Sequence, residues 1–270
     1  MFPLAGKEFP TSSDELCEAI QTALTEVFTL PAKKEAVTVS GGKFPSLKTV
    51  KINLNGASVS ATEPPPKPKV SGKREEGITV EKFELTGQPI EYEQTKLNLK
   101  VHGNGLVFEF GRDKKGKPVL VLSDADDGKV EAKITKEDIE TLLTAAATMA
   151  AKQQGITIQD LELELQSDGP RSVAADVRVK AKKLMMSGVI NITGKLDIDD
   201  ELNATLSDLR CTGEGIIGAT AAGIVQKKLA PYDGMEVPLM AFSLGDVALR
   251  DLKITVKDSV QVSAAFGKET

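Results

Sequence analysis

Between Ile156 and Leu206 apolar and polar residues alternate in successive long runs separated by short breaks. A period of two held over that length dictates a β-sheet with one apolar face and one wet face. Ile156 and Ile158 are followed by Leu161, Leu163 and Leu165, then a Ser-Asp-Gly-Pro turn. Val173, Ala175, Val177, Val179 and Ala181 come next, then Ile190, Ile192, Leu196 and Ile198, and finally Leu202, Ala204 and Leu206. Runs of this kind are antiparallel strands that bury one side. Their apolar faces must be covered by something, and the other segments of the chain are the first candidates.

Similar signals occur on both sides. Val50, Ile52 and Leu54 alternate against Lys51 and Asn53. From Ile78 to Ile134 strand patterns follow one another, centred on Ile78 and Val80, on Leu97, Leu99 and Val101, on Leu106, Phe108 and Phe110, on Val119 and Val121, and on Val130 and Ala132. HGNG, DKKGKP and DADDG mark the predicted turns. The last of these, Asp124 to Gly128, fails as a calcium loop because its glycine comes one place early and Thr135 stands where a bidentate Glu belongs. It reads as a hairpin turn. The closing strands carry Val247 and Leu249, then Leu252, Ile254 and Val256, then Val260, Val262, Ala264 and Phe266. At Arg250-Asp251 the alternation slips by one residue, which predicts a β-bulge.

Three helices are expected. Residues 13 to 29 place Leu16, Ala19, Ile20, Ala23, Leu24, Val27 and Phe28 on one face, with Pro31 ending the helix. A second helix starts at Thr135, with Asp138 three residues on in a capping-box-like arrangement, and ends near Gly155. Its stripe is Ile139, Leu142, Leu143, Ala146, Met149 and Ala150. These grade from bulky to small, and Met suits a surface that accepts variable apolar shapes. The third helix carries Gly215, Gly218, Ala219, Ala221, Ala222 and Gly223. Ile216, Ile217, Ile224 and Val225 make it apolar on nearly every side, and Gln226, Lys227 and Lys228 lead back to water before Pro231. Residues 62–77, TEPPPKPKVSGKREEG, read as an exposed Pro-rich loop; the PxxP at Pro65 and Pro68 is a weak signal.

The third helix raises the question of chemistry, because Gly213, Gly215 and Gly218 spell GxGxxG. A dinucleotide site needs a buried parallel strand before the glycines, a βαβ unit around them and an acidic residue ~20 positions on. The preceding LNATLSDLR alternates with polar residues, and Asp246 falls too far along. The glycines read instead as a smooth surface for close packing or for a flexible chain, and no NAD or FAD is expected.

Other function classes are limited by what the chain contains. With 34 Lys+Arg against 39 Asp+Glu it carries a net charge of -5, which disfavours a nucleic-acid partner. It has a single histidine, His102, and two distant cysteines, Cys17 and Cys211. His-based catalysis, a zinc site and a disulfide framework are therefore not written here. Aromatic residues make up 4%, too few for stacking platforms. No GxSxG, Walker A, HExxH or CxxC occurs, and Asp197, Asp199 and Asp200 read as a solvated turn. The expectation is a non-enzymatic protein without a cofactor or metal. The N-terminus shows no signal pattern and no run approaches the ~18 apolar residues of a membrane span. A cytoplasmic or membrane-peripheral protein is expected as written, or an envelope protein if an export signal preceded this N-terminus.

Arg178, Lys180 and Lys182 share the outer face of one strand, opposite Val177, Val179 and Ala181. Two readings stand side by side, cross-strand pairing with Glu162 and Glu164, and contact with anionic headgroups.

The order of these features, from Leu47 to Leu54 and above all from Lys133 to Phe266, resembles the LmeA-like phospholipid-binding family of the tubular lipid-binding superfamily. The resemblance rests on Ala132-Lys-Ile-Thr-Lys-Glu-Asp-Ile139 leading into the long helix, on the strands from Ile158 to Ala181, on Ile190-Asn-Ile-Thr-Gly-Lys-Leu-Asp-Ile198 and on the closing hairpin. It implies an α+β fold in which a strongly curved, mainly antiparallel sheet wraps around the long helix, residues 1–270 forming one elongated domain. Acyl chains would lie in an apolar groove lined by Ile139, Leu142, Leu143, Ala146, Met149, Ala150, Ile216, Ile217 and Ile224, with Arg178, Lys180 and Lys182 at the headgroups. A phospholipid or similar apolar molecule is the expected partner, and an anionic membrane surface a second one. The alternative is a scaffold whose core is completely filled.

Overall fold

A computed structural model of the chain describes residues 1–31, 35–59, 70–152, 155–239 and 245–268. Its elements run β1 (Phe2–Pro3), α1 (Ser13–Thr25), β2 (Phe28–Thr29), β3 (Val37–Lys43), β4 (Ser46–Asn53), β5 (Ala57–Val59), β6 (Val70–Tyr92), β7 (Thr95–Asp113), β8 (Pro118–Asp124) and β9 (Asp127–Thr135). They continue with α2 (Lys136–Lys152), β10 (Thr157–Gly169), β11 (Ser172–Lys183), β12 (Met186–Ile198), β13 (Asn203–Glu214), α3 (Gly215–Leu229), β14 (Met235–Pro238), β15 (Leu249–Val256) and β16 (Ser259–Gly267). The fold is α+β, with mainly antiparallel strands. Its contacts gather into two compact units, Met1–Lys133 with Phe242–Asp251 and Ser263–Thr270, and Ile134–Ala241 with Leu252–Val262. The sequence reading takes the same 270 residues as one domain.

The first unit is built on β6 and β7, the two longest strands. They pair antiparallel with each other, while β4 and β5 pair parallel to β6 and make the sheet mixed. Leu16 and Ile20 of α1 enter a core with Leu47, Val50, Ile52, Val80 and Phe108, all buried. The Ser12 hydroxyl caps α1 by accepting from the Glu15 amide at 3.2 Å, and the Glu15 carboxylate accepts from Thr11. The helix stops at Thr25, short of the predicted Thr29, because Phe28 and Thr29 pair with Val59 and Ser58. Strand pairing there overrides an amphipathic pattern.

Three turn expectations change. HGNG is no turn; it lies inside β7, where Gly103, together with Gly128, leaves room for the buried ring of Phe266. DADDG joins no hairpin, since β8 and β9 both pair with β7 and the Asp126 amide donates to Asn104 O at 3.1 Å. Lys268 bridges the Asp124 and Asp126 carboxylates at 2.8 and 3.3 Å, and holds the Asp124 carboxyl below the usual carboxylate range. Within the segment read as an exposed loop, residues 62–69 and both prolines of PxxP lie outside the described residues. Residues 70–77 are not a loop. They open β6, paired to β7 through register shifts that a charged, Gly-containing sequence tolerates. DKKGKP is a turn as expected, with Asp113 Oδ1 accepting from the Lys115 and Lys117 amides at 2.8 Å each.

The second unit holds an antiparallel sheet in the order β10-β11-β12-β13-β14. Thr135 caps α2, its Oγ1 accepting from the Asp138 amide at 3.0 Å. From α2, the Glu140 carboxylate accepts the outward Leu163 amide of edge strand β10 at 3.0 Å. α3 packs on β12 and β13 by backbone contact. A Cβ on Gly188 or Gly213 would strike the backbone of Gly218, and one on Gly218 would strike Val189. Gly215, at φ +74, lets the chain turn from β13 straight into the helix. Gln226 does not mark the way out to water, because its side chain bonds the backbone of Leu209 and Cys211. Asp233 Oδ1 takes the Leu209 amide at 3.0 Å. These side chains satisfy β13 where its register against β12 shifts between Thr193 and Lys195. At the predicted slip in β15, Asp251 sits at φ +52.

The glycine contact sets a clear expectation. Gly218→Ala should cost about 1–3 kcal/mol by overpacking. Gly223→Ala, in the same helix but with nothing within 4 Å of its added methyl, should instead gain about 0.5–1 kcal/mol. Denaturant unfolding of the two variants checks this; equal shifts would mean that α3 does not rest on the sheet backbone.

Candidate functional site

Residues directly opposite in an antiparallel pair share a face, so the register of the second sheet defines its apolar side. Leu163 faces Val177, which faces Ile192; Leu165 faces Ala175, which faces Gly194; Val173 faces Leu196, which faces Leu206. Cover over this face is uneven. Under α3, Val179 and Ile190 are fully buried against Ala221 and Ala222. Beyond the helix, Val173, Ala175, Val177, Ile192, Leu196 and Leu206 are only half-buried.

That less covered half forms a pocket of about 370 Å³, walled by these six residues with Leu209, and by Ile254, Val260 and Val262 of the closing hairpin. The facing pair Ala175 and Gly194 lowers its floor. Arg171 ties down the hairpin side, its Nε donating to Leu252 O at 3.1 Å and its Nη1 to Asp199 O at 3.3 Å, while the Ile254 amide donates to Pro170 O at 2.6 Å. The size lies at the lower end of ligand pockets, about 300–1,000 Å³, and the walls are nearly all aliphatic. Such a surface offers dispersion contacts and shelter from water to a hydrocarbon chain. A larger depression in the first unit, about 590 Å³ between residues 5–11 and α1, is edged by Lys7, Glu8, Glu15 and Glu18 and lacks that character.

The residues chosen from sequence lie elsewhere. On α2, Ile139, Leu142 and Leu143 are half-buried while Ala146, Met149 and Ala150 are exposed, and no residue of the helix is fully buried. On α3, Ile217 is buried against the sheet, and Ile216 and Ile224 are exposed. None of the nine lines the pocket. The signal that could have found it is the small pair Ala175 and Gly194 set among large aliphatics, and it is visible only once the register is known.

Arg178, Lys180 and Lys182 lie on the face of β11 opposite the pocket. Lys180 Nζ is shared between Asp160 Oδ2 at 2.8 Å and Glu162 Oε1 at 3.1 Å. Its pKa is raised, chiefly by the hydrogen bond it donates to Asp160, and the Asp160 carboxyl is lowered in return. Among the described residues Arg178 and Lys182 make no ion pair, and no group of three or more His, Cys, Asp and Glu is placed to hold a metal ion. Burial raises both thiols, Cys17 and Cys211. The glycines of GxGxxG are accounted for by packing, on a β13 whose neighbours β12 and β14 are both antiparallel. Among the described residues no helix is long and apolar enough to cross a membrane.

In comparisons with known proteins, no family model, no curated protein and no solved structure matches the chain.

The Lys180 pair carries a pH expectation. Asp160 is depressed in the folded state, so its contribution is fully present above the unfolded carboxyl value and is lost as pH falls through the folded one. In Lys180→Met, Asp160 should titrate at higher pH than in the parent, as followed by carboxyl NMR; an unmoved titration would show that the pair is not formed in solution.

Proposed function

We propose that the second unit binds a phospholipid, or another ligand with a long hydrocarbon chain, in the pocket on the apolar face of its sheet, without catalysing a reaction. One observation carries this reading: a single apolar face is sealed under α3 but left half-buried around about 370 Å³ of space walled by aliphatic side chains. Exposed aliphatic surface of that kind is unfavourable in water at about 25 cal/mol per Å². A bound chain relieves the cost. The sheet would curl about the ligand, α2 flanking it along β10, and the resemblance of residues 133–266 to LmeA-like phospholipid-binding proteins favours the same assignment. The hydrocarbon would occupy the space between Val177 and Val260, its polar end pointing to solvent.

Filling the floor separates this reading from a simple packed scaffold. Ala175→Phe should abolish uptake of a fluorescent acyl probe and strip co-purified lipid seen by native mass spectrometry, while the melting temperature stays near that of the parent. If neither protein carries lipid or takes up probe, and Ala175→Phe loses about 1–3 kcal/mol as an overpacked core would, the pocket is part of a filled interior and the ligand reading fails.

A further inference from the structure

The turn between β11 and β12 contradicts the usual chemistry of a hairpin. Lys183 pairs with Met186, so Leu184 and Met185 alone make the loop. Two-residue loops favour Asn, Asp or Gly because the backbone takes positive φ. Here Leu184 stands at φ +54. Leu184 is 83% exposed and Met185 94% exposed. The chain therefore accepts a strained backbone and two unsheltered hydrocarbon side chains at the same point, a combination that has no benefit for folding.

Neighbouring segments add to the same end of the second unit. Gly215 lies against Ser187 and Gly188, so Ile216, 74% exposed, opens α3 beside the turn. The last turn of α2 arrives there too, since the Ile156 amide bonds Ala151 O and Thr157 pairs with Lys182. It brings the exposed Met149. Lys152, Lys182 and Lys183 belong to these same segments, whose described residues hold one carboxylate, Glu214.

We propose that this end is a membrane-docking tip, with Leu184 and Met185 entering the hydrocarbon edge of an anionic bilayer and the three lysines at headgroup level. The occupant is argued from shape and charge. A protein partner needs about 800 Å² from each side, which a two-residue convex turn does not offer. A bilayer accepts a few inserted side chains of any shape, and unbranched Met and Lys, which reaches its charge along an apolar stem, suit that boundary. A local excess of lysine on an acidic protein matches anionic lipid. This goes beyond ligand binding: the tip and the pocket share no residue, and either can fail without the other.

Vesicle flotation of the full chain tests it, using phosphatidylcholine with and without phosphatidylglycerol at low and high salt. The parent should float with the anionic vesicles and less so at high salt. Leu184→Asn/Met185→Gly, which supplies the residues a tight turn prefers and so keeps the fold, should bind at least about tenfold more weakly. Lys182→Glu/Lys183→Glu should lose about thirtyfold or more and most of the salt dependence. Ala175→Phe should float like the parent whatever it does to lipid uptake. Parent protein that floats with neither vesicle, or flotation unchanged in Leu184→Asn/Met185→Gly, overturns the proposal. So does a dimer in sedimentation that this variant makes monomeric, since the tip would then join two copies.

Discussion

The backbone contact between α3 and the second sheet is the constraint from which the rest of that unit follows. At Gly188 and Gly213 on two strands and Gly218 on the helix, a Cβ would strike the facing backbone, and its absence lets the layers approach more closely than usual. Helix and sheet normally meet through side chains. Here the helix sits so low that Ala221 and Ala222 suffice to bury Val179 and Ile190. A close, narrow contact seals a small area very well and leaves the neighbouring area to other elements. The closing hairpin covers part of it from the far side, and the pocket is what lies between.

Polar chemistry in this unit serves the backbone more than any ligand. Gln226 and Asp233 satisfy the shifted part of β13, Glu140 the outward edge of β10, and Arg171 the hairpin that walls the pocket. Each is a case of the same requirement, that irregular or edge backbone groups find partners before the apolar face can be built. The lining itself is aliphatic and sets no directional demand on a ligand beyond length and girth.

The two halves of the chain solve the covering problem differently. In the first unit, α1 and the long strands close over a continuous core in which Leu16, Ile52 and Val80 are almost fully buried. In the second, large apolar side chains remain in water at one end, on the β11–β12 turn, on α3 and on α2. Scattered exposed apolar residues are ordinary on protein surfaces. Their convergence from three elements on a strained turn is not.

Much of the second sheet was legible in the sequence because a period of two survives any register. The alternating residues assigned inward that lie in these strands, from Leu163 to Leu206, do fall on one face; Leu202, at φ +61, lies in the turn before β13. The cap of the second helix was legible as well, since Thr135 acts on the amide of Asp138 three residues away. Where distant strands compete, local reading failed: HGNG and DADDG carry turn residues but are drawn into or along the edge of β7, and Phe28 leaves a helical pattern to pair with Val59. The candidate site was legible only as its parts. Alternation names Val177, Ile192 and Val260 as inward residues, but which inward residues are sealed and which border space depends on where α3 lands, and that was decided by three glycines brought together from three separate elements. The sequence by itself determined that this sheet has one apolar face; only the tertiary structure decided how much of it is covered, because cover is a contact between elements and no local pattern encodes it.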